Sequence, residues 1–153
     1  MPSQDWHDIL SAFTGADVEF LLVRAHALAA HGLVRGTGDL DLWVHRAPAN
    51  AQRVYRALVA FGAPRDQFSV EDFNLPQTVI QLGVPPLRID IVTDISGVEW
   101  DEAWEARGRV TMSDLEIPVL SRAHMIANQR ATNRPKDQLD LQWLEREPSS
   151  RNE

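Results

Sequence analysis

The stretch EFLLVRAHALAAHGLVRGTGDLDLWV, residues 19–44, holds two strand signals joined by a short helix signal and a glycine-bearing turn. Phe20-Leu21-Leu22-Val23 is a bounded apolar run of the kind that forms a buried strand. Ala25 to His31 is Ala-rich and helix-favouring, Gly32 stops it, and a basic turn follows at Arg35 and Gly36. From Asp39 to Val44 charged and apolar residues alternate at the start of a second strand. Side chains alternate across a strand, so Asp39 and Asp41 project from one face. Adjacent like charges repel, and the arrangement costs stability unless a cation stands between them. The hard, oxygen-seeking Mg²⁺ ion suits that position. Asp39 and Asp41 therefore read as metal ligands serving phosphoryl chemistry. The plain alternative is that Asp-x-Asp marks the solvated side of an amphipathic ribbon, so the pair needs support from elsewhere in the chain.

That support comes from a later strand signal, Arg88-Ile89-Asp90-Ile91-Val92, with one carboxylate between apolar neighbours. If this strand lies beside Asp39–Val44, Asp90 shares the face of Asp39 and Asp41. Three converging carboxylates are unstable without a divalent ion, and they are the ligand set of a two-metal site with ions about 3.5–4 Å apart. The turn before Asp39 is rich in small residues and carries Arg35 and Thr37, which gives a triphosphate open backbone and a cationic donor.

The rest of the chain frames these elements. Trp6, Ile9, Leu10 and Phe13 make one helical stripe with Asp5 as the expected N-cap. Pro48 suits a first helical turn, Val54, Leu58 and Phe61 give that helix its apolar face, and Gly62 ends it. Ser69 to Asp72 predicts a single helical turn. Thr78–Leu82 and Leu87–Val92 predict an antiparallel pair. A short helix over Asp101–Ala106 follows, then a minor hairpin from Arg109–Met112 and Glu116–Leu120. Ser121 is expected to cap a helix running to about Ala131, and a last helix is expected over Lys136–Glu147. The expectation is one α+β domain over residues 1–147, a small mixed sheet with helices mainly on one side, and a disordered tail at 148–153.

With 153 residues the chain suits a single domain with a full core. A net charge of −7 argues against a large sequence-independent grip on nucleic acid, though a nucleic-acid end entering a local basic patch is compatible with it. Cysteine is absent, which excludes a disulfide framework and a thiolate metal site. The opening MPSQDWHDIL does not read as a secretion signal, and no apolar run reaches the roughly 20 residues of a membrane span. A cytoplasmic protein without a membrane partner is expected.

The combination of apolar strand, small-residue turn, His31-Gly32-x-x-Arg35-x-Thr37-Gly38-Asp39-Leu40-Asp41 and a lone later Asp90 resembles the minimal nucleotidyltransferases of the polymerase-β superfamily. Within them it is similar to the AbiEii-like abortive-infection group. The resemblance runs from about Val18 to Leu141 and includes Ile126 to Asp137 followed by Asp140-Leu141, similar to that group's C-terminal helical motif. It implies the polymerase-β-like nucleotidyltransferase fold and transfer of a nucleoside monophosphate from an NTP to an acceptor hydroxyl. Asp39, Asp41 and Asp90 would be catalytic and would hold Mg²⁺ or Mn²⁺. Nucleotide contacts would come from Arg24, Ala25, His26, Arg35, Thr37, Gly38, Gln129 and Lys136. Members of the group include toxins of toxin–antitoxin pairs and enzymes that modify tRNA ends. The implied partners are an NTP, an unidentified acceptor such as a tRNA end or a protein, and a second copy or a cognate toxin–antitoxin partner.

Two positions depart from the group. It carries glycine where this chain has Arg24, and lysine where this chain has Gln129. Arg24 is read as partly replacing the missing lysine at the phosphates; the alternative is a catalytically weakened relative that retains binding or protein contacts. For His31 a structural helix-end role and a nucleotide contact are both open, as are phosphate contact and surface pairing for Arg35. His26, His31 and His45 lack zinc-ligand spacing. The five tryptophans read as core rather than base-stacking platforms, with Trp43 and Trp100 the two to test.

Overall fold

Strands β1 (Phe20–Val23) and β2 (Asp39–Val44) form over the residues that the apolar run and the alternation predict. The computed structural model describes residues 4–24, 39–84, 87–112, 114–132 and 142–146. The expected Ala25–His31 helix, the turn at Arg35 to Gly38, the start of the expected Lys136–Glu147 helix and the tail lie outside the described residues. β1 and β2 pair antiparallel, with Phe20 opposite Val44 and Val23 opposite Asp41. Strands β3 (Val79–Val84) and β4 (Leu87–Val92) make the expected antiparallel pair. β4 lies parallel to β2 along its length. Strands β5 (Gly108–Met112) and β6 (Leu115–Val119) form the second hairpin, and β6 runs parallel to β1. The result is one mixed six-stranded sheet in the order β3-β4-β2-β1-β6-β5, with β2 near its centre.

Helix α1 (Gln4–Gly15) begins one residue before Asp5, so Asp5 falls inside the first turn rather than at the cap. An acid is favourable at either place, which is why residue type alone did not distinguish them. Helix α2 (Pro48–Phe61) starts on its proline and closes at Gly62. The φ of +99° at Gly62 is the left-handed value a glycine accepts without strain, and its N–H reaches the carbonyls of Leu58 and Val59 at 3.1 Å. Helix α3 is Trp100–Glu105 and helix α4 is Arg122–Thr132. Ser121 caps α4 as expected, its Oγ accepting the His124 N–H at 3.2 Å. Residues 142–146 are helical, and Leu144 there is fully buried.

Residues opposite one another in neighbouring strands share a face. Phe20, Leu22, Leu40, Leu42, Ile89 and Ile91 therefore line one side, all of them buried. Phe13 of α1 meets Phe20 edge-on at 5.3 Å, and α2 packs on α1, so these two helices cover that side. Asn50 of α2 ties the two central strands to this layer. It accepts the Glu19 N–H at 2.8 Å and donates to the carbonyls of Glu19 (3.1 Å) and His45 (3.0 Å). The opposite side carries Leu21, Val23 and Trp43, also buried, and Trp100 of α3 sits edge-on against Trp43 at 5.0 Å. The sheet is therefore covered on both faces at its centre, and Asp39 and Asp41 lie on the Trp43 side.

Candidate functional site

Two rows of side chains cross the sheet on that side. The first runs Val23, Asp41, Asp90, Gln81 across β1, β2, β4 and β3. The second runs Asp39, Arg88, Gly83 across β2, β4 and β3. The parallel pairing of β4 beside β2 thus brings Asp90 level with Asp41 and onto the face of both other aspartates. The condition set by the sequence is met: three carboxylates from two chain segments share one patch.

Their surroundings exclude the solvated-ribbon reading. Asp41 is only 6% exposed, a burial that an amphipathic strand facing water would not give it. Its pKa is raised from 3.8 to about 7. Burial is the main cause; the Arg24 guanidinium pulls in the opposite direction; the Asp90 charge, a hydrogen bond shared with Asp90 and the Asp39 charge add to the rise. The Asp90 side chain is 15% exposed, and its Oδ1 is buried with no hydrogen-bond partner among the described residues.

Arg88 supplies the nearest compensation. Its Nη2 donates to Asp39 Oδ2 at 2.9 Å and its Nε stands 3.8 Å from Asp90 Oδ1. The sequence pattern alone assigns Arg88 no role. The signal was available, since residues two apart on a strand share a face and Arg88 therefore accompanies Asp90. The donor set suits a hard divalent ion: three carboxylates, one buried oxygen without a hydrogen-bond partner among the described residues, and burial that, with the neighbouring acids, holds Asp41 up near neutrality. Yet among the described residues no three His, Cys, Asp or Glu side chains stand grouped to hold a metal ion.

Of the expected nucleotide contacts, Arg24 and Gln129 are described. Arg24 follows β1 directly, is exposed, and has φ +65°. This left-handed conformation is one that glycine adopts freely and arginine rarely does. Gln129 lies on α4, 6% exposed, with its Oε1 buried and without a hydrogen-bond partner among the described residues. Ala25, His26, Arg35, Thr37, Gly38 and Lys136 lie outside the described residues, as does His31.

The aromatic residues are structural, as expected. Trp43 is buried and its Nε1 donates to the Thr93 carbonyl at 3.1 Å. Trp100 is half-buried and lies nearly parallel to His45 at 5.1 Å and to Trp104 at 5.3 Å, so its stacking partners come from the chain itself. His45 pairs with Glu19 at 2.7 Å. A polar cavity of about 700 Å³ opens beside these residues, lined by His45, Thr93, Asp94 and Trp100 at the far end of β2 and β4, and none of the three aspartates lines it.

The mixed six-stranded sheet and its helices have the nucleotidyltransferase fold, which solved structures share. A putative nucleotidyltransferase from Thermotoga maritima superposes with a TM-score of 0.60 at 17% identity, covering 93% of this chain and 91% of that one. The lincosamide antibiotic adenylyltransferase LnuA, solved with lincomycin bound, superposes with a TM-score of 0.61 at 15% identity, covering 95% of this chain and 98% of its own. At these identities the likeness establishes the fold. No protein-family model and no curated protein sequence matches the chain. Among the described residues no helix is long and apolar enough to cross a membrane.

Proposed function

We propose that the chain is a metal-dependent nucleotidyltransferase that moves a nucleoside monophosphate from an NTP to an acceptor hydroxyl and releases pyrophosphate. The observation that carries this reading is the register placing Asp41 and Asp90 side by side, with Asp39 one step along the same face. The shared fold with an adenylyltransferase supports it. Asp39, Asp41 and Asp90 would hold Mg²⁺ or Mn²⁺. Such an ion, when bound, neutralises phosphate charge and lowers the pKa of an attacking hydroxyl. Asp90, whose buried Oδ1 has no hydrogen-bond partner among the described residues, would orient the acceptor hydroxyl and take up its proton. Arg24, exposed where β1 ends beside Asp41, would bind the triphosphate in place of the missing lysine. Contacts from Ala25, His26, Arg35, Thr37, Gly38 and Lys136 complete the nucleotide site in this reading, and Gln129 contributes a neutral polar group.

The acceptor is an RNA end, a protein or a small molecule; the LnuA name gives the last class a precedent among proteins of this fold. A place in the AbiEii-like group, with a toxin–antitoxin or phage-defence role in the cytoplasm and a second copy or cognate partner closing the cleft, belongs to the same proposal. One observation favours a second reading, a weakened binding or interaction module. At position 129 a buried neutral glutamine stands where the group has a cation. Incubation with each labelled NTP, Mg²⁺ or Mn²⁺, and total cellular RNA or protein separates the two. The enzyme transfers label and Asp39→Asn does not. A binding module retains NTP affinity but releases no pyrophosphate, and a pure interaction protein binds neither metal nor nucleotide.

A further inference from the structure

The three carboxylates share a face, yet they do not form a ready metal cluster, and the residue lying among them is a cation of the chain itself. Arg88 stands opposite Asp39 in the β2–β4 ladder and two residues before Asp90 on its own strand. Its guanidinium donates to Asp39 at 2.9 Å and approaches Asp90 to 3.8 Å, so it spans two of the three expected ligands. Backbone pairing fixes where these side chains leave the sheet, with neighbouring strands about 4.8 Å apart. Only rotation of the side chains remains free to open or close the patch. A guanidinium and a divalent ion cannot both lie against the Asp39 carboxylate without strong repulsion.

Resting on the nucleotidyltransferase reading, the geometry points to Arg88 as a built-in counter-ion that occupies the carboxylate face in the metal-free protein and must release Asp39 before a divalent ion can engage all three aspartates. The arginine thereby does two things. It compensates a partly buried acidic cluster that would otherwise destabilise the fold, and it competes with the metal, so that the site holds an ion more weakly than the three carboxylates alone would. Arg88 is a positioning residue here, not a catalytic one. The competing role is a plain ion pair bracing β2 against β4. The two differ in one measurable respect: a brace affects stability only, whereas a counter-ion changes metal affinity and does so through Asp39.

The test is Mn²⁺ binding to the full-length chain, followed by the electron paramagnetic resonance of the free ion, for wild type, Arg88→Gln, Arg88→Lys, Asp39→Asn and the double variant. Far-ultraviolet circular dichroism shows that each is folded. Loss of one charge-assisted hydrogen bond from the metal-free state predicts binding about tenfold tighter in Arg88→Gln. Arg88→Lys stays close to wild type because the charge is kept. In the Asp39→Asn background the gain from Arg88→Gln disappears. Unchanged or weaker binding in Arg88→Gln overturns the inference while leaving the metal site standing, as does a gain that persists without Asp39. Absence of Mn²⁺ binding in every folded variant overturns the parent reading and this inference with it.

Discussion

Replacing Asp41 by asparagine should make the metal-free protein more stable, and increasingly so as the pH rises. Asp41 has a folded-state pKa of about 7 against 3.8 for the free side chain. The folded chain therefore holds a proton on Asp41 between those values, and this group's contribution to stability is greatest below about pH 4, falls as the pH rises, and levels off above about 7. A gap of about 3 pK units at 1.36 kcal/mol each gives up to about 4 kcal/mol lost by pH 8. Asparagine has the same shape and no charge, so Asp41→Asn should match wild type near pH 4 and exceed it by up to about 4 kcal/mol at pH 8. For a chain of this length that raises the melting temperature by on the order of 10 °C. Urea unfolding of both proteins from pH 4 to pH 8 with a chelator present measures it. A second titration with millimolar Mn²⁺ at pH 8 should stabilise wild type and not the variant. A stability difference that does not change with pH, or an Asp41→Asn protein less stable at pH 8, refutes the reasoning. It would show that Asp41 is not a destabilising charge held for binding.

Three further outcomes are expected. Asn50→Ala leaves the Glu19 N–H without its partner and removes one of two donors from the Glu19 and His45 carbonyls, which keep the N–H groups of His45 and Ala47, and should cost about 1–3 kcal/mol in urea unfolding. Gly97→Ala should destabilise by about 2–4 kcal/mol, because its Cβ would stand 2.7 Å from Ala131 Cβ and 2.9 Å from the Ala127 carbonyl oxygen, at a φ of +79°. Arg24→Gly relieves a left-handed backbone that costs an arginine about 1 kcal/mol, yet it should weaken Mg-ATP binding measured by calorimetry; tighter binding would defeat the idea that Arg24 serves the phosphates.

The central fold was legible because its signals are local. The Phe20–Val23 run, the Asp39–Val44 alternation and the Leu87–Val92 strand lie where composition and period put them, since each buries a face whose pattern the sequence carries. The pairing of β4 with β2 was stated only as a condition. Parallel neighbours far apart in sequence are chosen by tertiary packing, which no short window contains. Burial of Asp41 was missed for a related reason: alternation reports that two faces differ, whereas the covering of the second face depends on Trp43 and α3, brought together from distant segments. Arg88 shares the face of Asp90 by the period of two, but its pairing with Asp39 depends on that same parallel register. Position 24 shows the reverse case. Its left-handed φ is a conformation that glycine adopts freely and arginine rarely does, so the residue type does not announce the backbone.

The account stands or falls on whether Asp39, Asp41 and Asp90 serve one ion. A crystal grown with Mn²⁺ and a non-hydrolysable NTP analogue, recorded at the manganese absorption edge, tests this directly. The predicted result is anomalous density within about 2.3 Å of a carboxylate oxygen from each of the three, bridged to the triphosphate. Manganese bound elsewhere, or nucleotide seated with no ion touching Asp90, would contradict it.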